Sequence, residues 1–248
     1  MTDINGFIGC RLGSTRVKFK NLSLIDNKPL FTYLTDSALA TSNIDKLFLN
    51  TDSQYIVDIA KEIYNNKLNY YIRPPHLGSS KAKLDDFVYD FMINFPSDIT
   101  IFFNPCCLFL KNETIDKAIS YFIENNLDSL CASRVAQTLC FINNKPINFS
   151  FDIGQPRTQD LEPIHCQTCA FFIWKTETFK NAYKKNSAGN FCGKFESYGL
   201  STLESIDIDT EEDFLIAESL LIGKKRKFNF TYHKDVDKLI KDGIIKTN

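Results

Sequence analysis

Short apolar runs alternate along the chain with stretches whose apolar residues recur every three or four positions. The runs near 6–10, 46–50, 69–72, 99–103, 128–133, 168–174 and 204–208 predict strands. Between them lie four helical stripes: Phe31, Leu34, Ala38 and Leu39 after Pro29; Ile56, Ile59, Ala60 and Ile63 after a cap at Asp52 or Ser53; Phe87, Phe91 and Met92; and Ile115, Ala118, Ile119 and Phe122. Strand and helix in alternation predict an α/β fold with a mainly parallel central sheet flanked by helices, and stripes of this kind belong to the core. Between about 137 and 167 the periodicity fades into Asn, Pro, Gln and Gly, as in an excursion from the sheet. Residues 1–222 therefore read as one domain. The basic run Lys224-Lys225-Arg226-Lys227 then reads as a solvated linker within 223–248, ahead of a short helix near 234–241.

The last predicted strand carries chemistry at its end. Period-two alternation puts Ile206 and Ile208 on one face and Asp207 and Asp209 on the other. Thr210 and Asp213 have the spacing of a capping box, and Phe214, Ala217, Leu220 and Leu221 repeat at helical spacing behind them, so the strand stops where the two carboxylates are presented. Paired hard oxygen ligands at such a point suit Mg²⁺ bound to phosphates; an acidic strand edge before a solvated helical turn is the plainer alternative.

At the other end of the chain, the run Phe7-Ile8-Gly9-Cys10 leads into a loop with Arg11, Arg16, Lys18 and Lys20, four cations within ten residues. Gly13 permits a tight turn, and Ser14 and Thr15 offer hydroxyls, a combination that suits a triphosphate. A basic surface loop would look similar, and the loop matches neither a Walker A motif nor a GxGxxG fingerprint.

Composition narrows the classes. The chain has 248 residues, 44% of them hydrophobic, enough for one sizeable core. With 29 basic and 30 acidic side chains it lacks the basic excess of a nucleic-acid or membrane-surface protein. No apolar run reaches membrane-spanning length and the N-terminus lacks a signal pattern, so a cytoplasmic enzyme without membrane insertion is expected. Cys166-Gln167-Thr168-Cys169 beside His165 has the spacing of a redox or zinc motif. A buried strand follows it where a helix should open, and no second pair completes a zinc site, so the eight cysteines read as structural thiols.

The two terminal segments together resemble the acylneuraminate cytidylyltransferase family, whose members open with a strand and A-R-x-G-S-x-R-x-x-x-K-N. Here Cys10 replaces the alanine, and Arg11, Gly13, Ser14, Arg16, Lys20 and Asn21 match. The resemblance continues through Lys28-Pro29-Leu30, Thr51-Asp52-Ser53, Arg73-Pro74-Pro75, Asn104-Pro105, Arg157-x-Gln159-Asp160-Leu161-x-Pro163 and the segment from Ile206 to Phe214, in order over about residues 5–222. It implies a Rossmann-like nucleotidyltransferase fold and transfer of CMP from CTP to a sialic-acid-like nonulosonic acid, with release of pyrophosphate, for surface glycan biosynthesis.

The same resemblance assigns roles. Arg11 and Lys20 would act on the phosphates, and Asp207 and Asp209 would hold Mg²⁺. Arg11, Leu12, Gly13, Ser14, Arg16, Lys20, Asn21, Arg73 and Ala82 would bind the nucleotide. Asn104, Cys106, Cys107, Arg157, Gln159 and Asp160 would face the acceptor, the last three reaching across a homodimer interface on the 137–167 excursion. Departures sit beside these roles. Lys81, Lys83 and Leu84 replace small hydroxyl residues near the base, and Cys106 and Cys107 replace them near the acceptor. They keep two alternatives open: a cytidylyltransferase acting on Kdo or another surface-glycan building block, and a catalytically weak relative that binds nucleotide as a regulatory subunit.

Overall fold

The computed structural model describes residues 2–14, 16–224 and 233–244. In chain order, β1 (Ile4–Cys10) leads through a small ribbon, β2 (Leu24–Ile25) and β3 (Lys28–Pro29), into α1 (Leu30–Leu39). There follow β4 (Lys46–Thr51), α2 (Gln54–Tyr64), β5 (Asn69–Ile72), α3 (Leu84–Asn94), β6 (Ile99–Phe103), α4 (Asn112–Glu124) and β7 (Ser129–Ala136). A second ribbon, β8 (Phe141–Ile142) and β9 (Lys145–Pro146), precedes β10 (Ile164–Lys175), α5 (Thr176–Asn186), β11 (Phe195–Leu200), α6 (Glu211–Lys224) and α7 (Lys234–Lys241).

Seven strands form one sheet in the order β11-β7-β10-β6-β1-β4-β5. Every pairing is parallel except those of β10, which runs antiparallel between β6 and β7. The central strands β1 and β6 read as near-continuous apolar runs because helices cover both their faces. Ile8, Leu49, Phe103 and Ile173 join one core layer with Leu34, Ile56 and Ile119. Phe7, Phe48, Phe102, Phe172 and Trp174 join the other, with Phe91 and Phe179. That second layer is an aromatic stack: the Phe7 and Phe91 ring centroids lie 4.3 Å apart, and Phe172 and Trp174 stack at 5.2 Å. The buried Trp174 indole N–H donates to the Asn190 carbonyl at 3.0 Å, so its burial leaves no donor unpaired.

The predicted helices appear in place, and the capping box holds in both directions. Asp213 accepts the Thr210 N–H at 2.8 Å, and the Thr210 hydroxyl accepts the Asp213 N–H at 3.2 Å. Two expectations are corrected. Residues 204–208 do not pair as a strand: Ser201–Ile206 form a turn, with Ser205 N–H on the Ser201 carbonyl, and Ile208 is held by its N–H on the Cys106 carbonyl at 3.3 Å. The edge strand is instead β11, whose Glu, Ser and Gly interrupt the apolar pattern because its side chains are mostly only part-buried. Ser53 does take the N-cap position of α2, but its hydroxyl makes no capping bond, and Asp52 serves the loop after β1. The basic run over 225–227 lies outside the described residues.

Gly9 lies one residue before the end of β1, and an added Cβ there would meet the Phe102 ring at 2.5 Å. Phe102 is locked in the aromatic layer, so the ring cannot yield without moving its neighbours. Gly9→Ala is expected to destabilise the protein by about 1–3 kcal/mol, read as a lower urea midpoint at unchanged m-value.

Candidate active site

A cavity of about 340 Å³ opens at the carboxyl ends of β1, β4, β5 and β6, where loops leave a parallel sheet. Arg11, Ser14, Arg16, Lys20, Asn21, Arg73, Ala82, Asn104, Cys106 and Asp209, all singled out in the sequence, line it. Another cavity, of about 430 Å³, lies at the opposite end of the sheet beside Thr2, Asp98 and Lys175 and has no such convergence of cations.

The loop after β1 is pinned at three points. Asn21 Nδ2 donates to the Arg11 carbonyl at 2.9 Å and closes the loop on itself. Asp52 Oδ1 accepts the Leu12 N–H at 2.8 Å and ties the loop to the end of β4. Lys20 Nζ donates to the Ile208 carbonyl and lies 3.2 Å from Asp209 Oδ1, while Arg16 Nη2 reaches the same oxygen at 2.6 Å. Leu12 and Gly13 shape the loop without lining the cavity, and Thr15 lies outside the described residues.

The 207–209 segment has its own anchors. Glu204 is buried, yet accepts the Lys111 N–H at 3.2 Å, the Thr114 hydroxyl at 2.6 Å and the Ser201 hydroxyl at 2.7 Å. Burial would raise its pKa, but these donors outweigh burial and hold it low. Ile208 packs with Cys106, Leu30 and Ala217. Asp207 is thereby presented beside Asn104, whose Nδ2 lies 3.4 Å from both carboxylate oxygens.

Two ionisable groups of the site are held at a cost. Arg73 is only 3% exposed, and its Nε and Nη1 have no hydrogen-bond partner among the described residues. Its guanidinium sits 4.8 Å from the Phe87 ring centroid, and burial draws its pKa below the usual value. At Asp207, burial and then the Asp209 charge push the pKa up to about 6. For Lys20, burial acts to lower the pKa, but Cys106 and the carboxylates of Asp209 and Asp207 outweigh it, so the ammonium stays charged.

Other expected residues lie elsewhere. Cys107 is fully buried in the core layer with Ile8 and Phe103, one residue past the cavity wall. Arg157, Gln159 and Asp160 stand exposed on the excursion, where Arg157 Nε pairs with Asp160 at 2.8 Å. Sequence reasoning missed Asp52, taken for a helix cap, and Glu204. It also missed Phe87, which the helical stripe assigned to the core, and Ser79 and Ser80, which line the cavity from the polar strip after Arg73.

A family model described as cytidylyltransferase matches residues 6–162. The chain is 26% identical over 229 residues to the pseudaminic acid cytidylyltransferase of Campylobacter jejuni, covering 86% of this chain and 94% of that protein. It is 25% identical over 223 residues to the CMP-N,N'-diacetyllegionaminic acid synthase of Legionella pneumophila, with the same coverage of 86% and 94%. Among solved structures, a CMP:2-keto-3-deoxy-manno-octonic acid synthetase complexed with CTP superposes with a TM-score of 0.65 at 14% identity, over 90% of this chain and all of that one, a likeness of fold.

Asp207 ties this geometry to stability. Its folded pKa of about 6 lies above the ordinary 3.8, so the folded state holds the proton more tightly than the unfolded state does. The carboxylate therefore costs stability above about pH 6 and costs nothing below about pH 4, where both states are protonated. Asp207→Asn is expected to raise the stability of the ligand-free protein by about 1–3 kcal/mol at pH 7.5. The gain should vanish near pH 4 in thermal melts run across that range.

Proposed function

The chain belongs to the cytidylyltransferase family, and on that premise we propose that it transfers CMP from CTP to a nonulosonic sugar acid, releasing pyrophosphate. One observation carries the reading: the unpartnered guanidinium atoms of buried Arg73 share a cavity with Arg11, Arg16 and Lys20. A buried cation with unmade hydrogen bonds is costly unless an anionic or strongly accepting ligand completes it. The acceptor class is supported by the relatives, two of which are named for pseudaminic and N,N'-diacetyllegionaminic acids.

The proposal gives these residues the following roles, which their place around one cavity supports. Arg11, Arg16 and Lys20 bind the triphosphate and neutralise the charge that develops on the departing pyrophosphate. Asn21 and Ser14 hold the nucleotide against the same loop, and Arg73 with Ala82, Ser79 and Ser80 faces the base. Asn104 orients the acceptor hydroxyl toward the α-phosphorus, the bond that forms as the bond to pyrophosphate breaks.

Asp207 and Asp209 fit a hard divalent cation, because their mutual repulsion is what a cation would relieve. Among the described residues no group of three or more His, Cys, Asp and Glu is placed to hold one unaided, so phosphate oxygens and water would complete the shell. Mg²⁺ bound there would supply charge neutralisation at the phosphates.

A homodimer is part of the proposal. Phe141, Phe149 and Phe151 form a mutual ring cluster on the excursion, with Phe141 54% and Phe151 64% exposed beside Ile142 and Ile147. A second copy would cover this apolar surface. Among the described residues no helix is long and apolar enough to cross a membrane.

Pyrophosphate release from CTP with a panel of nonulosonic acids and Kdo tests the central reading: turnover with a nine-carbon acid is expected, and turnover with none overturns it. Arg11→Ala should weaken CTP binding about tenfold by calorimetry, since a charge-assisted contact contributes about 1.5 kcal/mol or more. Asp209→Ala should abolish turnover with the circular dichroism spectrum unchanged. Sedimentation of the wild type is expected to give a dimer, and Phe141→Asp with Phe151→Asp a monomer.

A further inference from the structure

Among the described residues, five have buried side-chain nitrogen or oxygen atoms without a hydrogen-bond partner, and three of them, Asn50, Ser53 and Arg73, lie at the carboxyl ends of β4 and β5. The unmade bonds are thus gathered on one side of the cavity. Asn50 is the extreme case: it is 0% exposed, and both Nδ2 and Oδ1 of its amide are unpaired. Two other buried asparagines each have an anchor, Asn5 through Nδ2 on the Phe95 carbonyl at 3.3 Å and Asn21 through Nδ2 on the Arg11 carbonyl at 2.9 Å. A bare amide in a core is costly, and an apolar side chain would fill a covered parallel strand without that cost.

The sheet places this amide. Asn50 pairs in register with Gly9 on β1 and Tyr71 on β5, and with Phe48 it faces the aromatic layer. Arg73 starts from the end of β5, yet its guanidinium lies against Phe87, whose ring packs on Phe7 and Phe102 of β1 and β6. Since β4 lies between β5 and β1, the arginine crosses β4 on this face, where Asn50 is the last side chain of the strand. Gly9, Arg73 and Phe87 all line the cavity, so Asn50 forms the layer beneath its wall. Arg73 Nε and Nη1 and the Asn50 carbonyl therefore share one buried layer without being bonded to each other.

We propose that Asn50 is a positioning residue for base selection: when a pyrimidine enters, Asn50 Oδ1 takes the Nε–H of Arg73 and turns the remaining guanidinium donors onto the base edge, so that cytosine is bound and uracil rejected. The inference rests on the CTP reading above and names what sets the choice of base in this chain. Cytosine presents two adjacent acceptors, O2 and N3, whereas uracil carries a hydrogen on N3. A guanidinium can only donate. Held in one orientation it meets both cytosine acceptors, and against uracil it leaves a donor facing a donor. Free to turn, it would pair with a uracil carbonyl oxygen instead and the distinction would be lost.

Calorimetry of CTP and UTP binding, with Mg²⁺ and without acceptor, isolates the base, since the two ligands share ribose and triphosphate. The wild type should bind CTP about a hundredfold more tightly than UTP. Asn50→Ala and Asn50→Leu remove the acceptor with and without leaving a cavity, and each should lower that preference about tenfold. Asn50→Asp, which keeps the acceptor at the same volume, should retain it. A preference within twofold of wild type in either Asn50→Ala or Asn50→Leu leaves Asn50 a core residue and overturns the inference. So does an equal loss in Asn50→Asp, which makes the effect one of packing. A wild type without preference for CTP also overturns it and leaves nucleotidyl transfer standing. Failure of both nucleotides to bind the wild type fails the underlying reading and this inference with it.

Discussion

Lys20 joins two segments 188 residues apart, through the Ile208 carbonyl and the Asp209 carboxylate. Without that bond the loop after β1 would be an exposed basic stretch and the 207–209 segment an exposed acidic one. Each would be solvated and mobile, and surface pairing of this kind contributes little. Lys20 differs because its amine is mostly buried, 12% exposed, between the Cys106 sulfur and the carboxylates. Its attraction is felt in a medium drier than water, and both segments are held at one distance from the cavity. Asp52 on Leu12 and Glu204 on the N-terminus of α4 then fix the far ends of the same two segments.

The site is built at a cost to stability. Arg73 is buried without hydrogen-bond partners for two of its nitrogens among the described residues, and Asp207 is part-buried beside a like charge. Features that each destabilise a ligand-free protein persist where a ligand or a reaction uses them. Their grouping at the carboxyl ends of the parallel strands separates this cavity from the one at the opposite end of the sheet, where Lys175 already pairs with Asn126 and Asp128.

The excursion between β7 and β10 shows the reach of pattern reading. Loss of periodicity marked about 137–167 as an excursion, and 137–163 does lie off the sheet, whereas 164–167 already pair with β7; the aromatic residues around it divide in a way no pattern states. Phe171, Phe172 and Trp174 are core, while Phe141 and Phe151 stand in the open. Phe172 and Trp174 lie on one face of a strand covered by α3 and α5, whereas Phe141 belongs to a short two-stranded ribbon off the sheet, where its ring meets Phe149 and Phe151 and stays exposed.

Local chemistry was legible in the sequence wherever neighbours in the chain decide it. Short apolar runs identified β1, β4 and β6, helical spacing identified α1 to α4, and the Thr210–Asp213 cap was readable because its partners are three residues apart. The cations of the first loop and the two aspartates were equally plain, since charge and order are properties of the sequence. Tertiary structure alone decided which of them meet. It turned 204–208 from a strand into an anchored turn, because β11 had taken the sheet edge and Glu204 found its donors on α4. It sent Cys106 to the cavity wall and Cys107 into the core, a difference of one residue that backbone direction sets. It made Asp52 a clamp for the loop after β1, because the paired ends of β1 and β4 bring Leu12 within 2.8 Å of it. Contacts between residues far apart in sequence depend on the register and crossing of strands, and the local pattern of a chain does not contain them.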